Sequence, residues 1–307
     1  MEFPYSLKEI THTFQYQLNP NEAKFLTLKL WIPLKKENSV SSQVELLHSY
    51  PLILFSHGYL GAASQSLFLT HFLTKNGYIV AAPEHTDGLF YNPYKPIKFF
   101  NVKKPISAFA EERLKDMKAA LDELLKLNQN PRSELFSLIS ENAIGTAGHS
   151  LGGWTAVGIS GGSQNYSDHR IKAGLFLAPF IKDYTLNDFK RIHIPQMHIL
   201  GEMDQDNLKS FLRFILREKK LPRKTAYDQT NPPKFFLMIK NGNHFTFTDW
   251  TCLFYRNLST CQMKNPKAQT ILGYSLLFFD TFLKQKDKAR QGLLQNNANL
   301  LHYEYEL

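Results

Sequence analysis

The sequence lacks any uninterrupted apolar run of 18 residues, and even the stretch from Ile271 to Leu283 is broken by Asp280. This argues against a transmembrane span. The chain also lacks a visible secretory signal, because the segment Met1 to Tyr5 has no basic start followed by an apolar run. We therefore expect a cytoplasmic protein. A chain trimmed of its leader would look the same, so export stays open.

Cysteine is scarce, with only Cys252 and Cys261 among 307 residues. Their number does not decide whether they pair, which depends on the redox compartment. Neither a Cys-x-x-Cys nor a His-Glu-x-x-His spacing occurs despite 11 histidines. A four-ligand zinc site is not supported, and we predict no metal and no cofactor.

The charge is positive but has no strong focus: Lys and Arg number 36 against 27 Asp and Glu, a net charge of +9. The densest basic group is 219–224, and no nucleic-acid motif accompanies it. We expect no nucleic-acid partner, while peripheral contact with anionic surfaces remains open. Without a repeat, linker or low-complexity tract, residues 1–307 are predicted to form one domain. The oligomeric state does not follow from the sequence.

Apolar, β-branched runs alternate with helical patterns, which indicates an α/β fold: a mostly parallel, eight-stranded sheet with helices on both faces. The predicted strands are Thr11–Leu18, Phe25–Ile32, Pro51–Phe55, Tyr78–Pro83, Ala143–Gly148, Ile171–Ala178, Gln196–Leu200 and Lys234–Ile239. The predicted helices are Ala63–Lys75, Glu111–Leu127, Leu151–Ser160, Asp206–Lys219 and Pro266–Lys284. The long connections 89–108 and 222–233 are candidate lid or substrate-shaping loops.

The segment Gly148-His149-Ser150-Leu151-Gly152 lies between a predicted strand and a predicted helix. A serine with glycines two positions away on either side, at a strand-to-helix turn, is typical of an exposed nucleophile. The turn is too tight for neighbouring side chains, so those positions require glycine. We predict Ser150 as the nucleophile.

A serine hydroxyl needs a histidine to accept its proton and a carboxylate to orient that histidine. In the order serine, acid, histidine, Asp204 follows the strand 196–200 and His244 follows the strand 234–239. We prefer Asp204 to Glu202, which is nearer the strand, and to Asp206, which resembles a helix N-cap; the choice between Asp204 and Asp206 stays open.

The oxyanion hole is predicted to use the backbone N–H groups of Leu151 and Tyr59. Leu151 follows the nucleophile, and Tyr59 lies in the loop after the third strand, in Ser56-His57-Gly58-Tyr59. Histidines close to these motifs, including His57, are expected to pack or hydrogen-bond beneath the site rather than act as the base. The candidates for substrate binding are His57, Trp154, Phe90 and Tyr91.

These residues carry a resemblance to a known group. The segments Phe55-Ser56-His57-Gly58, Ile79 to His85, Gly148 to Gly153 and His244 to Trp250 resemble α/β-hydrolases. The similar families are plasma-type platelet-activating-factor acetylhydrolases, predicted dienelactone hydrolases and cutinase-like lipases. The acetylhydrolases are expected to carry their acid after the strand that here ends at Pro179, where this chain has no carboxylate. Dienelactone hydrolases proper use cysteine, and Ser150 argues against that activity.

The sequence thus predicts a cofactor-independent serine esterase or lipase with a Ser-His-Asp triad, acting on a small-molecule or lipid ester through an acyl-enzyme. Two alternatives are also enzymes: a thioesterase, and a phospholipase or lysophospholipase that resembles the acetylhydrolases. A catalytically silent hydrolase fold that serves as a binding module is the alternative from another class. The physiological ester and its acyl length stay open.

Overall fold

The computed structural model describes residues 3–35, 49–88, 106–181, 183–204, 223–249 and 265–307. Its strands form one nine-stranded sheet in the order β1-β2-β4-β3-β5-β6-β7-β8-β9. The strands are β1 Tyr5–Asn19, β2 Glu22–Lys35, β3 Tyr50–Ser56, β4 Ile79–Pro83, β5 Ile139–His149, β6 Ile171–Leu177, β7 Gln196–Gly201, β8 Lys234–Ile239 and β9 Leu300–Glu306. Six central strands are parallel, while β1, β2 and β9 are antiparallel to their neighbours. The predicted α/β fold with a mostly parallel sheet is confirmed.

Helices follow most of the parallel strands. They are α1 Leu67–Lys75, α2 Ile106–Gln129, α3 Leu151–Val157, α4 Leu186–Lys190, α5 Arg223–Asp228, α6 Pro266–Phe282 and α7 Asp287–Leu293. A π-helical turn at Gly158–Gly162 extends α3. The predicted helix 206–219 lies outside the described residues. Residues 89–105 of the first predicted loop also lie outside the described residues, and the last residues of that loop belong to α2. The second predicted loop contains α5. Within the described ranges, no helix combines the length and the apolar character needed to cross a bilayer.

The sheet has a hydrophobic core on each face, as the continuous apolar pattern of its parallel strands predicts. Strand β3 shows how alternate side chains divide between them. Leu52 and Leu54 join the cluster with α2 and α3, whereas Ile53 and Phe55 join the cluster with α1 and α6. All four side chains are almost completely buried. The sheet is therefore covered by helices on both sides.

The prediction of eight strands was wrong by one, because β9 was missed. Strand β9 pairs antiparallel with β8 at the sheet edge, with Tyr303 opposite Leu237. Its sequence, LLHYEYE, mixes apolar and charged residues, and its side chains are half-buried or exposed. An edge strand has one neighbour and little core contact, so its apolar signal is weak.

The order of the strands places a crevice at one edge of the sheet. Strand β3 lies between β4 and β5, so the connections that leave β3 and β5 at their carboxyl ends diverge to opposite faces. Such reversals of strand order are where open α/β sheets bind ligands. Ser56 at the end of β3 is directly opposite Gly148 near the end of β5. The two loops predicted to carry the oxyanion donors and the nucleophile therefore start side by side.

Candidate active site

Ser150 occupies a sharp turn between β5 and α3, with φ 57° and ψ −117°. A non-glycine residue rarely adopts such a conformation, which persists only where the surroundings enforce it. The Ser150 hydroxyl does not cap α3. A Cβ on Gly148 would lie 2.0 Å from the Gly152 carbonyl oxygen, and a Cβ on Gly152 would lie 1.9 Å from the Ser56 carbonyl oxygen. The predicted steric need for glycine at both positions is confirmed.

Asp204 and His244 come together although 40 residues separate them. His244 Nδ1 lies 2.8 Å from Asp204 Oδ1, and the Asp204 side chain is fully buried. The loops after β7 and β8 are held together, since the Met203 N–H donates to the Gly242 carbonyl at 2.7 Å. The carboxylate therefore accepts the Nδ1 proton of His244 and leaves Nε2 as the basic nitrogen.

The neighbouring carboxylate, Glu202, has a different function. Its Oε2 accepts the backbone N–H of Asn241 at 2.7 Å, in the turn that leads to His244. Asn241 has a positive φ of 53°, and this hydrogen bond stabilises its turn. Asp206, the other alternative, lies outside the described residues. Of the three sequence candidates, Asp204 is the one that the described residues place on His244.

His149 places His244 beside the serine turn. The ring centroids of His149 and His244 are 4.6 Å apart, and His149 directly precedes Ser150. His149 Nδ1 accepts from the Gln65 amide at 2.8 Å, so Nε2 carries the proton and donates to the His244 carbonyl at 3.0 Å. Gln65 Oε1 also accepts the N–H of Gly58. Gln65, which no sequence motif indicated, thus joins the loop after β3 to the histidine loop through His149.

The two backbone N–H groups predicted to bind the oxyanion, those of Leu151 and Tyr59, lie where the described part of the fold does not use them. Leu151 is the first residue of α3, where an N–H has no partner within the helix. In the loop after β3, the Gly58 carbonyl accepts three donors: the Gly61 N–H at 3.0 Å, Arg113 Nη2 at 3.1 Å and His57 Nδ1 at 2.7 Å. The Tyr59 N–H on the other side of this peptide has no acceptor among the described residues.

His57 is completely buried, and its Nε2 accepts the His85 N–H at 3.2 Å. Burial and the Arg113 charge lower the pKa of His57 to about 4, so the ring is neutral near pH 7. A side chain without exposed surface does not form part of a substrate-binding wall. This corrects the substrate-binding assignment of His57 and leaves the packing role.

The aromatic candidates for substrate binding fall into two groups. Trp154 is only 8% exposed and stacks on Tyr184 at a centroid distance of 5.0 Å, so it packs mainly within the core. Phe90 and Tyr91 lie outside the described residues.

A buried charged cluster under the loop after β3 was not predicted. Arg113 is bidentate to Asp87, with Nε to Oδ1 at 2.8 Å and Nη2 to Oδ2 at 2.7 Å. Asp116 accepts Lys24 Nζ at 2.7 Å and His85 Nδ1 at 2.8 Å. Burial would raise the pKa of Asp87, but the Arg113 guanidinium outweighs it and lowers that pKa to about 2. The Asp87–Arg113 pair is therefore ionised at neutral pH.

The sequence contained a signal for this cluster. Arg113 is four and seven residues from Met117 and Ala120, which places it in phase with the apolar stripe of α2. An amphipathic helix ordinarily carries its charges opposite its apolar stripe, but Arg113 and Asp116 are only 1% and 0% exposed. A charge in phase with an apolar stripe indicates a buried partner.

The described residues include no group of three histidine, cysteine or carboxylate side chains arranged to hold a metal ion. Cys252 and Cys261 lie outside the described residues.

A comparison with protein families finds a match in the N-terminal part of the chain. The family model for platelet-activating factor acetylhydrolase, isoform II, matches residues 6–95. This segment contains β1 to β4 and the loop with Tyr59, and it ends before Ser150. No curated protein matches the sequence significantly. The matched segment is less than a third of the chain, and together with the mostly parallel sheet the match is consistent with an α/β-hydrolase fold.

Proposed function

We propose that this hydrolase is a serine esterase that cleaves carboxylic esters through an acyl-enzyme, with Ser150, His244 and Asp204 as its triad. One observation carries the proposal: a buried Asp204 carboxylate accepts from His244 Nδ1 at 2.8 Å, and the His244 ring lies 4.6 Å from that of His149, which directly precedes Ser150 at φ 57°. An orienting carboxylate, a histidine and a strained, glycine-flanked serine are the parts that nucleophilic acyl transfer needs.

In the first half-reaction, Ser150 Oγ attacks the ester carbonyl carbon and its proton passes to His244 Nε2. The Asp204 carboxylate holds the Nδ1 proton and stabilises the imidazolium that forms. The carbonyl oxygen becomes an oxyanion between the N–H groups of Leu151 and Tyr59, which are oriented before the reaction starts. The C–O bond to the alcohol then breaks, and His244 returns its proton to the departing oxygen.

In the second half-reaction, water replaces the alcohol. His244 Nε2 takes a proton from the water as its oxygen attacks the acyl carbon, and the same two N–H groups bind the second oxyanion. Ser150 leaves with the proton from His244, and the carboxylic acid is released. Apart from the ester and the water, every group in these steps belongs to this chain.

We propose a lipid ester as the substrate class. The family match supports a lipid substrate. Met203, which precedes Asp204, and Phe245, which follows His244, are 45% and 51% exposed, so apolar surface is available beside both triad residues. A chain-length series of p-nitrophenyl esters, with acyl-CoA and lysolipid in parallel, separates an esterase from a thioesterase and a lysophospholipase.

A fluorophosphonate probe tests the proposal directly. It should label the wild-type protein and not Ser150→Ala, and hydrolysis of a p-nitrophenyl ester should disappear in the same variant. Equal labelling of both proteins would refute Ser150 as the nucleophile. Absence of labelling and of turnover in the wild type would favour a silent hydrolase fold that binds a ligand.

A further inference from the structure

The guanidinium of Arg113 is completely engaged beneath the loop that carries Tyr59. Besides the two hydrogen bonds to Asp87, its Nη1 donates to the His57 carbonyl at 2.6 Å and to Ser56 Oγ at 3.3 Å. Its Nη2 donates to the Gly58 carbonyl at 3.1 Å. Arg113 is 1% exposed, and each of its five N–H groups has an acceptor. Such complete pairing fixes the group in one orientation.

The Gly58 carbonyl determines where the Tyr59 N–H points. The peptide bond between these residues is trans, so the carbonyl and the following N–H point in opposite directions. The carbonyl points inward to Arg113 Nη2 and His57 Nδ1. The Tyr59 N–H must then point outward, away from the buried cluster.

The loop secures this orientation only in part, through the Gly61 N–H and His57 Nδ1, which donate to the Gly58 carbonyl at 3.0 and 2.7 Å. Glycine tolerates rotation of its flanking peptides, so Gly58 alone does not fix the carbonyl. Leu60, two residues later, has a positive φ of 54°, a strained conformation for leucine. External hydrogen bonds are needed to keep such a loop in one state. Arg113 supplies such a bond from helix α2, since its Nη2 donates to the Gly58 carbonyl at 3.1 Å.

We propose that Arg113, held by Asp87, is a positioning residue for the oxyanion hole: it fixes the Gly58–Tyr59 peptide so that the Tyr59 N–H faces the reacting carbonyl. The proposal rests on the proposed esterase function. Arg113 does not touch the substrate, and it acts only through the peptide. Its loss should therefore weaken binding of the transition state while leaving binding of the ester unchanged.

The first variant is Arg113→Lys, which keeps the charge but loses the planar fork that reaches Asp87 and two carbonyls together. The second combines Arg113→Met with Asp87→Leu, because removing both charges leaves no unpaired ion in the core and preserves folding. The matched control is Arg170→Lys. Arg170 is also bidentate to a carboxylate, Asp168, at 2.9 and 2.6 Å, at the start of β6 and away from this loop.

The assay compares turnover with an inhibitor that forms an oxyanion. Ser150 Oγ adds to the carbonyl carbon of a trifluoromethyl ketone, its proton passes to His244, and the ketone oxygen becomes the oxyanion. Titration with the fluorophosphonate probe gives the concentration of competent sites, so a loss of folded protein is separated from a change in kcat.

Both Arg113 variants should lower kcat on the order of 10- to 100-fold and raise the ketone inhibition constant by the same factor. KM should stay within about twofold of wild type, and Arg170→Lys should behave as wild type. If both Arg113 variants match Arg170→Lys in kcat and in ketone affinity, the positioning role is refuted while the esterase proposal stands. If the wild type neither turns over esters nor reacts with the probe, the esterase proposal itself fails.

Discussion

Gly152→Ala should damage both stability and activity, although helix propensity alone predicts a gain. Gly152 lies in α3, and alanine is favoured over glycine in a helix by ~0.5–1 kcal/mol. The added Cβ, however, would lie 1.9 Å from the Ser56 carbonyl oxygen and 2.6 Å from the His57 carbonyl oxygen. Both contacts are with backbone atoms, so no side chain can turn away to make room.

The distances give the size of the effect. A carbon needs roughly 3.5 Å from a neighbouring heavy atom, so the start of α3 and the end of β3 must separate by about 1.6 Å at Gly152. Strain of this kind costs about 1–3 kcal/mol or more. The same movement separates the Leu151 and Tyr59 N–H groups, and a misplacement of about 1 Å can cost 100-fold in rate. We expect Gly152→Ala to react with the fluorophosphonate at least ~100-fold more slowly.

The matched control is Gly273→Ala in α6, because a Cβ there meets no atom within 4 Å. It should be more stable than wild type by up to ~1 kcal/mol and label at the wild-type rate. Urea unfolding followed by circular dichroism measures stability, and the labelling rate measures the site. If the two alanine variants are equally stable and label equally fast, the close approach of Gly152 to β3 is refuted.

Three further predictions concern the serine turn and the loop of His244. Asp204→Asn should lower kcat by about 10³- to 10⁴-fold because an amide does not select the same histidine tautomer. Ester turnover measures this loss, and titration with the fluorophosphonate probe should show the same concentration of active sites as in the wild type. Ser150→Gly should abolish labelling yet raise the midpoint of thermal unfolding, since glycine adopts φ 57° with less strain, a gain on the order of 1 kcal/mol; an unchanged or lower midpoint would contradict it. Burial raises the pKa of Asp249 to about 7, against 3.8 for the unperturbed carboxyl, despite the N–H groups of Phe68 and Leu67. As the pH rises, Asp249 loses its proton in the unfolded chain before it does so in the folded protein. The protonated carboxyl therefore makes its full contribution to the free energy of unfolding below pH 3.8, and this contribution, at most ~4 kcal/mol, is lost as the pH rises to about 7. Asp249→Asn should flatten that part of the stability curve, and a decline identical to that of wild type would refute the assignment.

The strands and the serine turn could be predicted because their signals are local. Each parallel strand is buried on both faces and reads as a short apolar run, and the turn at Ser150 requires glycines within two residues on each side. Ser150, Asp204 and His244 each follow a parallel strand, and these strands all end at the same edge of the sheet, where the three residues can meet. Sequence position alone was enough to propose Ser150 and His244 and to prefer Asp204, while the choice between Asp204 and Asp206 stayed open.

The arrangement around these residues depended on contacts between distant parts of the chain. Glu202 and Asp204 are two residues apart, and only the pairing of the loops after β7 and β8 turns one to Asn241 and the other to His244. Strand β9 gains its place from its pairing with β8, since its own short sequence mixes apolar and charged residues. The inward direction of Arg113 depends on Asp87 and the Gly58 carbonyl, which approach it from other segments. Periodicity assigns a residue to a face of its own element, but the partners that make a buried charge stable are supplied only by the folded chain.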